Sequence, residues 1–511
     1  MFTEKDLIQL QEKGITPQLA QHQIERFKSG FPFIRLAAAA TPSHGIVRLD
    51  ENQLHHFVGW YDEHAPQMQV LKFVPASGAA TRMFKDLFTW REKLAAGTAA
   101  EELMEQDEQA REFFTQLRTF AFWDDLERLM GENGKDALGL WESKNYLPLL
   151  ETLLSEQGLG YALLPKGLLR FHRYNDHNRT AFEEHLAEGA QYARSESGKV
   201  NLHFTVSAEH RGRFINHTGD VLNRWEEHFD ANYEVKFSVQ KPSTDTLAVD
   251  MENKPFRDHD GSLLFRPGGH GALIQNLNEL KEDLIFIKNI DNVVPDRIKE
   301  ETIAWKKALG GMLLKYREEI FRILEQVESR NFSQSDYIAA RSFALDKLCI
   351  DGAALPQKLE DGLDALVSLL NRPIRICGMV KNVGEPGGGP FWVKDPNTGN
   401  LSLQIVESSQ VDHNDKQQKE IFLQATHFNP VDLVCSFKDR KGKHFDLTQY
   451  TDPQTGFISI KSKDGKDLKA QELPGLWNGA MAQWITLFVE VPLITFNPVK
   501  TIMDLLRPEH R

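Results

Sequence analysis

QVLKFVPASGAATRMFKDLF, residues Gln69–Phe88, decides how this sequence is read. Leu71, Phe73 and Val74 form an apolar run that predicts a buried strand. Pro75-Ala76-Ser77-Gly78-Ala79-Ala80-Thr81 follows as a small-residue loop, and Arg82, Met83, Phe84 and Leu87 suit a helix start. Strand, small-residue turn and helix together make a phosphate cradle, because small side chains let an anion approach backbone N–H groups at a helix N-terminus. Arg82 adds a fixed charge beside it.

On the N-terminal side, residues 1 to 65 read as helices. Thr3 with Asp6 resembles a capping box, and Thr16-Pro17 an N-cap followed by proline in the first turn. Residues 88–158 are charged and helix-rich (EELMEQDEQAREFF), which reads as solvated helix faces. From Gly160 the texture alternates. NLHFTVSA (Asn201–Ala208), YEVKFSVQ (Tyr233–Gln240), TLAVD (Thr246–Asp250) and DLIFIKNIDN (Asp283–Asn292) predict strands, with helices over 209–229 and 272–281 between them. Alternation of this kind predicts an α/β protein with a mostly parallel sheet. Apolar spacing over 296–328 predicts a long helix, with further helices after Ser335-Asp336 and near 357–370. Strands return at 374–380, 402–408, 432–437 and 486–493, and a helix is expected from Pro498 through Leu506.

Composition narrows the function classes. The 511 residues carry 73 Asp+Glu against 60 Lys+Arg, a net charge of −13, with 41% hydrophobic residues. That balance argues against nucleic-acid binding, which draws on an excess of Lys and Arg. A single basic patch can still hold a small anion. Cys349, Cys377 and Cys435 form no CxxC pair and are odd in number, which favours a reducing, cytoplasmic setting. The N-terminus is charged without an apolar h-region, and no window reaches the length of a membrane span, so neither signal peptide nor membrane association is expected.

Four loops fall at predicted C-terminal ends of strands, the edge where open parallel sheets bind ligands. Besides residues 77–82 they are Leu164–Arg173 (LPKGLLRFHR), Arg266–Leu273 (RPGGHGAL) and Ile287–Asn292 (IKNIDN). Each alone reads equally well as an ordinary turn or cap.

Their order resembles the UDP-sugar pyrophosphorylase group, which includes the UDP-N-acetylglucosamine and UDP-glucose pyrophosphorylases. That group's G-G-x-G-T-R-[LM] loop is similar to Ser77-Gly78-Ala79-Ala80-Thr81-Arg82-Met83. Its P-K-[GS] segment is similar to Pro165-Lys166-Gly167, and its strand ending in Gln before a proline to Phe237–Pro242. P-x-G-[HN]-G resembles Pro267-Gly268-Gly269-His270-Gly271, and N-x-D-N resembles Asn289-Ile290-Asp291-Asn292. F-x-P-[LV]-K resembles Phe496–Lys500, and V-E-Y-S more loosely Val406–Ser409. Two family glycines stand here as Ser77 and Ala80, and residues 88–158 intervene between the first loop and Pro165-Lys166-Gly167. The sequence also resembles a bacterial family of unknown function of about this length.

The resemblance implies a nucleotide-diphospho-sugar transferase fold (glycosyltransferase-A, Rossmann-like). A mixed, mostly parallel sheet flanked by helices would span 68–508, after an N-terminal helical segment (1–67). A helical insertion at about 88–158 and a β-rich part from about 372 would complete it. The implied function is nucleotidyl transfer, in which a nucleoside triphosphate, UTP favoured, and a sugar-1-phosphate give a nucleotide sugar and pyrophosphate, with Mg²⁺. A non-catalytic nucleotide or nucleotide-sugar binder on the same fold is the alternative. A glycosyltransferase fits less well, since Asp291 at the strand end is followed by Asn292-Val293, where that class would carry its D-x-D metal motif.

Residue roles are implied in the same way. The backbone of Ser77, Gly78, Ala79, Ala80 and Thr81, with Arg82, would cradle the β- and γ-phosphates. Lys166 would approach the α-phosphate or the leaving pyrophosphate, and Lys500 the sugar phosphate. Asp291 would hold Mg²⁺. Gln240, Gly268, Gly269, His270 and Gly271 would face the base and ribose. Asn292, Glu407 and Asn478 would contact the substrate. Arg170, His172 and Arg173 are expected to join Arg82, Lys166 and Lys500 at one phosphate site, while Trp477 and Trp484 read as core aromatics.

Overall fold

A computed structural model describes residues 2–78, 80–384 and 387–511. The chain divides into two compact units, each assembled from separated stretches: residues 1–69, 240–287 and 305–492 form the first, and 70–239, 288–304 and 493–511 the second.

The second unit holds three parallel strands, Val70–Pro75, Lys199–Val206 and Asn232–Val239, paired in the register Leu71↔Asn201 and Val200↔Tyr233. The helix Arg211–Phe229 connects the second strand to the third, as parallel pairing requires a crossover. Between the first and second strands run the helices from Lys85–Ala95 to Leu147–Leu154, so residues 88–158 are helical as their charge pattern indicates. Their apolar faces are aromatic. Trp90, Phe113, Phe114, Phe120 and Phe122 are all buried and pack ring against ring.

One helix of this unit departs from amphipathic design. In Ala181–Tyr192, capped by Thr180, eleven residues are buried, among them Glu183, Glu184, His185 and Glu188. Each carboxylate meets a partner. Glu183 pairs with Arg170 and Arg224; Glu184 with His172 and Lys299; Glu188 with Lys72 at 3.1 Å and Lys288 at 2.8 Å. Burial of charge demands such pairing.

In the first unit, Ile46–Val47, Ile485–Glu490 and Ile374–Lys381 run parallel, and Asp432–Ser436 pairs antiparallel with Ile374–Lys381. Leu284–Lys288 lies beside Asp432–Ser436. A three-stranded sheet is built from Leu36–Ala39, Gly389–Lys394 and Leu401–Val406, and Phe457–Lys463 pairs with Lys466–Glu472 as a hairpin. Both units therefore mix strand and helix, and parallel pairing predominates among the central strands. Among the described residues, no helix is long and apolar enough to cross a membrane.

Two expectations change. Residues 1–65 are not wholly helical, because Leu36–Ala39 and Ile46–Val47 are strands whose partners lie hundreds of residues away. The helix expected from Pro498 is only a short 3₁₀ turn, Ile502–Leu506, since Pro498 is engaged in a bridge to Asn292. Gly389–Lys394 and the 457–472 hairpin were not anticipated, although Phe391-Trp392-Val393 and the Asp464-Gly465 turn after the alternating run Phe457–Lys463 carry the signal for them.

Candidate functional site

Two clusters gather most of the residues singled out in the sequence, one in each unit.

In the second unit, the residues after strand Leu284–Lys288 bring Asp291 to Lys166 and Lys500. Asp291 Oδ2 accepts from Lys166 Nζ at 3.0 Å and from Lys500 Nζ at 2.9 Å. Lys166 also donates to the Val499 carbonyl at 2.8 Å, and the Val499 N–H donates to the Asp291 carbonyl at 3.0 Å. Burial would raise the Asp291 pKa, but the two ammonium groups outweigh it and hold the carboxyl below its usual range. Oδ1 is buried and has no hydrogen-bond partner among the described residues. Lys166 and Asp291 are largely enclosed, while the Lys500 side chain is 58% exposed. The cluster is thus a two-lysine clamp with a net charge of +1 and one lysine turned to solvent.

Asn292 fixes this arrangement. Its Oδ1 accepts from the Asn497 N–H at 2.9 Å, and its carboxamide is 1% exposed. The side chain that was expected to contact substrate instead seats the segment that carries Lys500. His185 supports the same strand end from below, with Nε2 3.2 Å from the Ile290 carbonyl. Burial and the neighbouring Lys72 push the His185 pKa well below its ordinary value, so the ring is neutral and donates from Nε2.

The phosphate-cradle loop lies in this unit too. Ser77 and Gly78 are exposed, and a side-chain carbon placed on Gly78 would meet nothing within 4 Å. Ala79 lies outside the described residues. Ala80 is buried in the core, whereas Thr81 and Arg82 are exposed, and no hydrogen bond of the Arg82 guanidinium occurs among the described residues. The other expected phosphate ligands are committed elsewhere. Arg170 is held by Asp125 at 3.0 Å and by Glu183, and Arg173 by Asp124. His172 is buried between Glu184 and His510, 2.9 Å from each. Neighbouring acids engage all three side chains, a feature of packing that their spacing did not disclose.

In the first unit, the Pro267–Gly271 loop closes on residues 473–476. The Leu473 N–H donates to the Gly268 carbonyl at 2.9 Å. A side chain on Gly271 would lie 2.0 Å from the Pro474 carbonyl oxygen, and Gly269 has φ +75°. These glycines are set by close backbone packing in addition to any ligand. The Leu476 N–H donates to His270 Nδ1 at 3.0 Å, leaving the ring proton on Nε2, which lies 3.8 Å from Glu407. His270 stacks on Trp477 with ring centres 4.2 Å apart, and burial lowers its pKa to about 4. Asn478 Nδ2 donates to Glu407 Oε1 at 3.2 Å and to Gln410 at 3.3 Å, and its Oδ1 is buried without a partner. Burial raises the Glu407 pKa, partly offset by the Asn478 hydrogen bond. Gln240 stands half-buried directly after strand Asn232–Val239.

Trp477 corrects its reading as a core aromatic: it is half-exposed and forms the platform under His270, while Trp484 is buried. Sequence reasoning also passed over Arg375. Its signal was available, as an arginine inside the apolar run Ile374-Arg375-Ile376-Cys377.

Fold and clusters define a mixed α/β protein with a lysine–carboxylate clamp in one unit and a His–Trp–Glu–Asn cluster in the other. The sequence matches, over residues 3–511, the family model described as a domain of unknown function, DUF4301, and the chain belongs to that family. No curated protein matches it. Among solved structures it is similar to a mutant of the UDP-glucose pyrophosphorylase from Leishmania major. That match has 12% identity, covers 99% of this chain and 79% of the other, and has a TM-score of 0.45. It is similar to the UDP-N-acetylglucosamine pyrophosphorylase from Trypanosoma brucei in complex with an inhibitor (12% identity, 96% and 74% covered, TM-score 0.46). A UDP-glucose phosphorylase from Trypanosoma brucei matches at 13% identity, with 98% and 77% covered and a TM-score of 0.44.

Proposed function

We propose that this chain is a nucleotidyltransferase that forms a nucleotide sugar and pyrophosphate from a nucleoside triphosphate, UTP favoured, and a sugar-1-phosphate. The observation that carries this reading is the meeting of Lys166 and Lys500 at Asp291. The three residues come from three separate motifs of the resemblance, and both ammonium groups lie within 3.0 Å of one oxygen of the Asp291 carboxylate.

The chemistry asks for such a clamp. A sugar-phosphate oxygen attacks the α-phosphorus, a new P–O bond forms, and the bond to the leaving pyrophosphate breaks with its electron pair. The nucleophile is already an anion, so no strong base is needed. The protein's task is to hold two polyanions in line and to neutralise the charge that accumulates. Asp291 keeps both ammonium groups at one point, and exposed Lys500 is free to exchange its carboxylate partner for an incoming phosphate. Lys166, fixed by the Val499 carbonyl, supplies a stationary charge. Ser77, Gly78 and Arg82 present an open loop in the same unit.

For magnesium, Asp291 Oδ1 is the available hard donor of this cluster, while Oδ2 faces two cations. That donor set suits Mg²⁺ bound mainly by phosphate oxygens with one protein carboxylate. The ion would supply further charge neutralisation on the phosphates. In the first unit, half-exposed His270, Trp477 and Glu407 offer a ring face, an N–H donor and an acceptor suited to a nucleoside or a sugar.

The test is pyrophosphate release across a panel of nucleoside triphosphates and sugar-1-phosphates with Mg²⁺. Turnover with UTP and one sugar phosphate is expected. Calorimetric binding of nucleotide sugars without pyrophosphate release would select the non-catalytic binder instead, and neither binding nor release would overturn both.

A further inference from the structure

Arg375 is fully buried, yet no carboxylate lies within ion-pair distance of it among the described residues. Its Nε donates to Thr486 Oγ1 at 2.9 Å, and Nη1 donates to the Trp477 carbonyl at 2.6 Å and lies 3.4 Å from Met481 Sδ. Nη2 has no partner. Burial pushes its pKa down, and it faces the buried thiols of Cys377 and Cys435. An unpaired guanidinium in a core is costly, and an apolar side chain of similar volume would be more stable there. Stability therefore does not explain it.

Its contacts converge on one turn. Residues 477–481 carry Trp477, which stacks on His270, and Asn478, which bonds Glu407. Asn478 has φ −101° and ψ −115°, a sparsely populated backbone conformation that persists only when neighbours enforce it. A side chain on Gly479 would lie 1.6 Å from Thr455 Oγ1, so the turn is also closed from the other side. Strained backbone, an orphaned Asn478 Oδ1 and an unpaired buried cation thus coincide at the half-exposed cluster of the first unit.

We infer that Arg375 is a positioning residue: by gripping the Trp477 carbonyl it holds the 477–481 turn in the strained form that sets Trp477 against His270 and Asn478 against Glu407. Its catalytic significance rests on the reading that this cluster binds the nucleotide sugar. The physical grip stands without that reading.

The turn also governs His270. The Leu476 N–H on Nδ1 and the Trp477 ring keep the imidazole neutral, while Glu407, and Glu472 beyond it, are the acids near it. If the turn relaxes, His270 loses its donor and its cover, and its titration moves up toward the ordinary value of about 6.5.

The experiment compares wild type, Arg375→Met and Arg375→Lys as full-length protein. Three quantities are read: thermal midpoint, the His270 ring Cε1 proton shift from pH 5 to 8 (assigned with His270→Gln), and steady-state kinetics. Arg375→Met is expected to keep or raise the thermal midpoint while His270 begins to titrate within that window. Arg375→Lys, which can still reach the Trp477 carbonyl, restores a flat profile. With UTP and sugar-1-phosphate, Arg375→Met is expected to raise KM for the sugar phosphate by about tenfold with a smaller change in kcat. A lowered midpoint with an unchanged His270 profile would make Arg375 a structural residue and overturn the inference. If Arg375→Met does not fold, the inference also fails, because the apolar replacement is expected to be tolerated. Absence of turnover in wild type counts against the proposed function alone, since the midpoint and the His270 profile need no substrate.

Discussion

At the scale of single residues, the clamp at Asp291 makes the sharpest demand. Removing one charge-assisted contact to a phosphate costs about 1.5–3 kcal/mol. Lys166→Ala and Lys500→Ala should each lower kcat/KM by at least about tenfold, measured as initial rates of pyrophosphate release. The two differ in their structural consequences. Lys166 is enclosed and bonded to the Val499 carbonyl, so its loss should also lower the thermal midpoint; exposed Lys500 should cost little stability. Equal stability losses in the two variants would argue against this division of labour. The candidate residues were legible because their short motifs, weak one by one, follow the order of the family they resemble. Which of the basic side chains are free was not legible. Arg170, His172 and Arg173 sit within a few positions of Lys166, yet Asp125, Glu183, Asp124 and Glu184 occupy them.

At the scale of elements, the segment Leu493–Arg511 and the buried helix Ala181–Tyr192 place the clamp. Asn292→Ala removes the acceptor for the Asn497 N–H, a loss of about 1–3 kcal/mol for a buried donor left unmade. Amide exchange over residues 494–500 should then accelerate more than elsewhere in the second unit; uniform acceleration would assign Asn292 no local role. Glu188 holds two buried lysines, Lys72 and Lys288, and a tyrosine, Tyr192. Glu188→Ala leaves two buried cations without their carboxylate and should cost about 3–5 kcal/mol, read from the midpoint and slope of urea unfolding. The helix itself was not anticipated, because its acidic residues fit no amphipathic pattern; only Thr180 and Glu183, its capping box, announce its start. By contrast Thr3, Thr16-Pro17 and the long helix Asp296–Glu328 were readable locally, since caps and apolar periodicity act within a few residues.

At the scale of the molecule, buried histidines set the response to acid. Burial lowers His270 to about 4, and burial with the neighbouring His172 and Arg507 lowers His510 to about 3. Unfolded, both would take up a proton near pH 6.5. Between that value and the folded pKa the unfolded chain binds more protons, so stability falls as pH falls. Above about pH 6.5 their contribution is fully present. Glu183, held down to about 2 by hydrogen bonds and neighbouring cations against burial, adds a second loss below the ordinary glutamate range. The thermal midpoint should therefore be level from pH 8 to 7 and decline progressively from pH 6.5 to 4. A midpoint that stays level down to pH 5 would show that these rings are protonated in the native state at little cost. Because the chain forms two units, more than one transition is expected, and His510→Gln should flatten the decline in the transition of the second unit only.

Local sequence was enough for the strand–loop–helix opening at residues 69–88, the alternation that makes the chain α/β, and the helical character of 88–158. These follow from local forces: side-chain periodicity, caps, and the turn chemistry of Gly and Pro; Lys166, Asp291, Lys500 and His270 became candidates through the resemblance of their ordered motifs. Only the tertiary structure decided that two lysines 334 residues apart share one carboxylate oxygen. It alone showed that Asn292 anchors a terminal segment, that Trp477 is a platform, and that Arg375 is buried with no acid beside it among the described residues. Those outcomes depend on contacts between residues far apart in the chain, where packing and desolvation, which no local pattern encodes, choose each charge's partner.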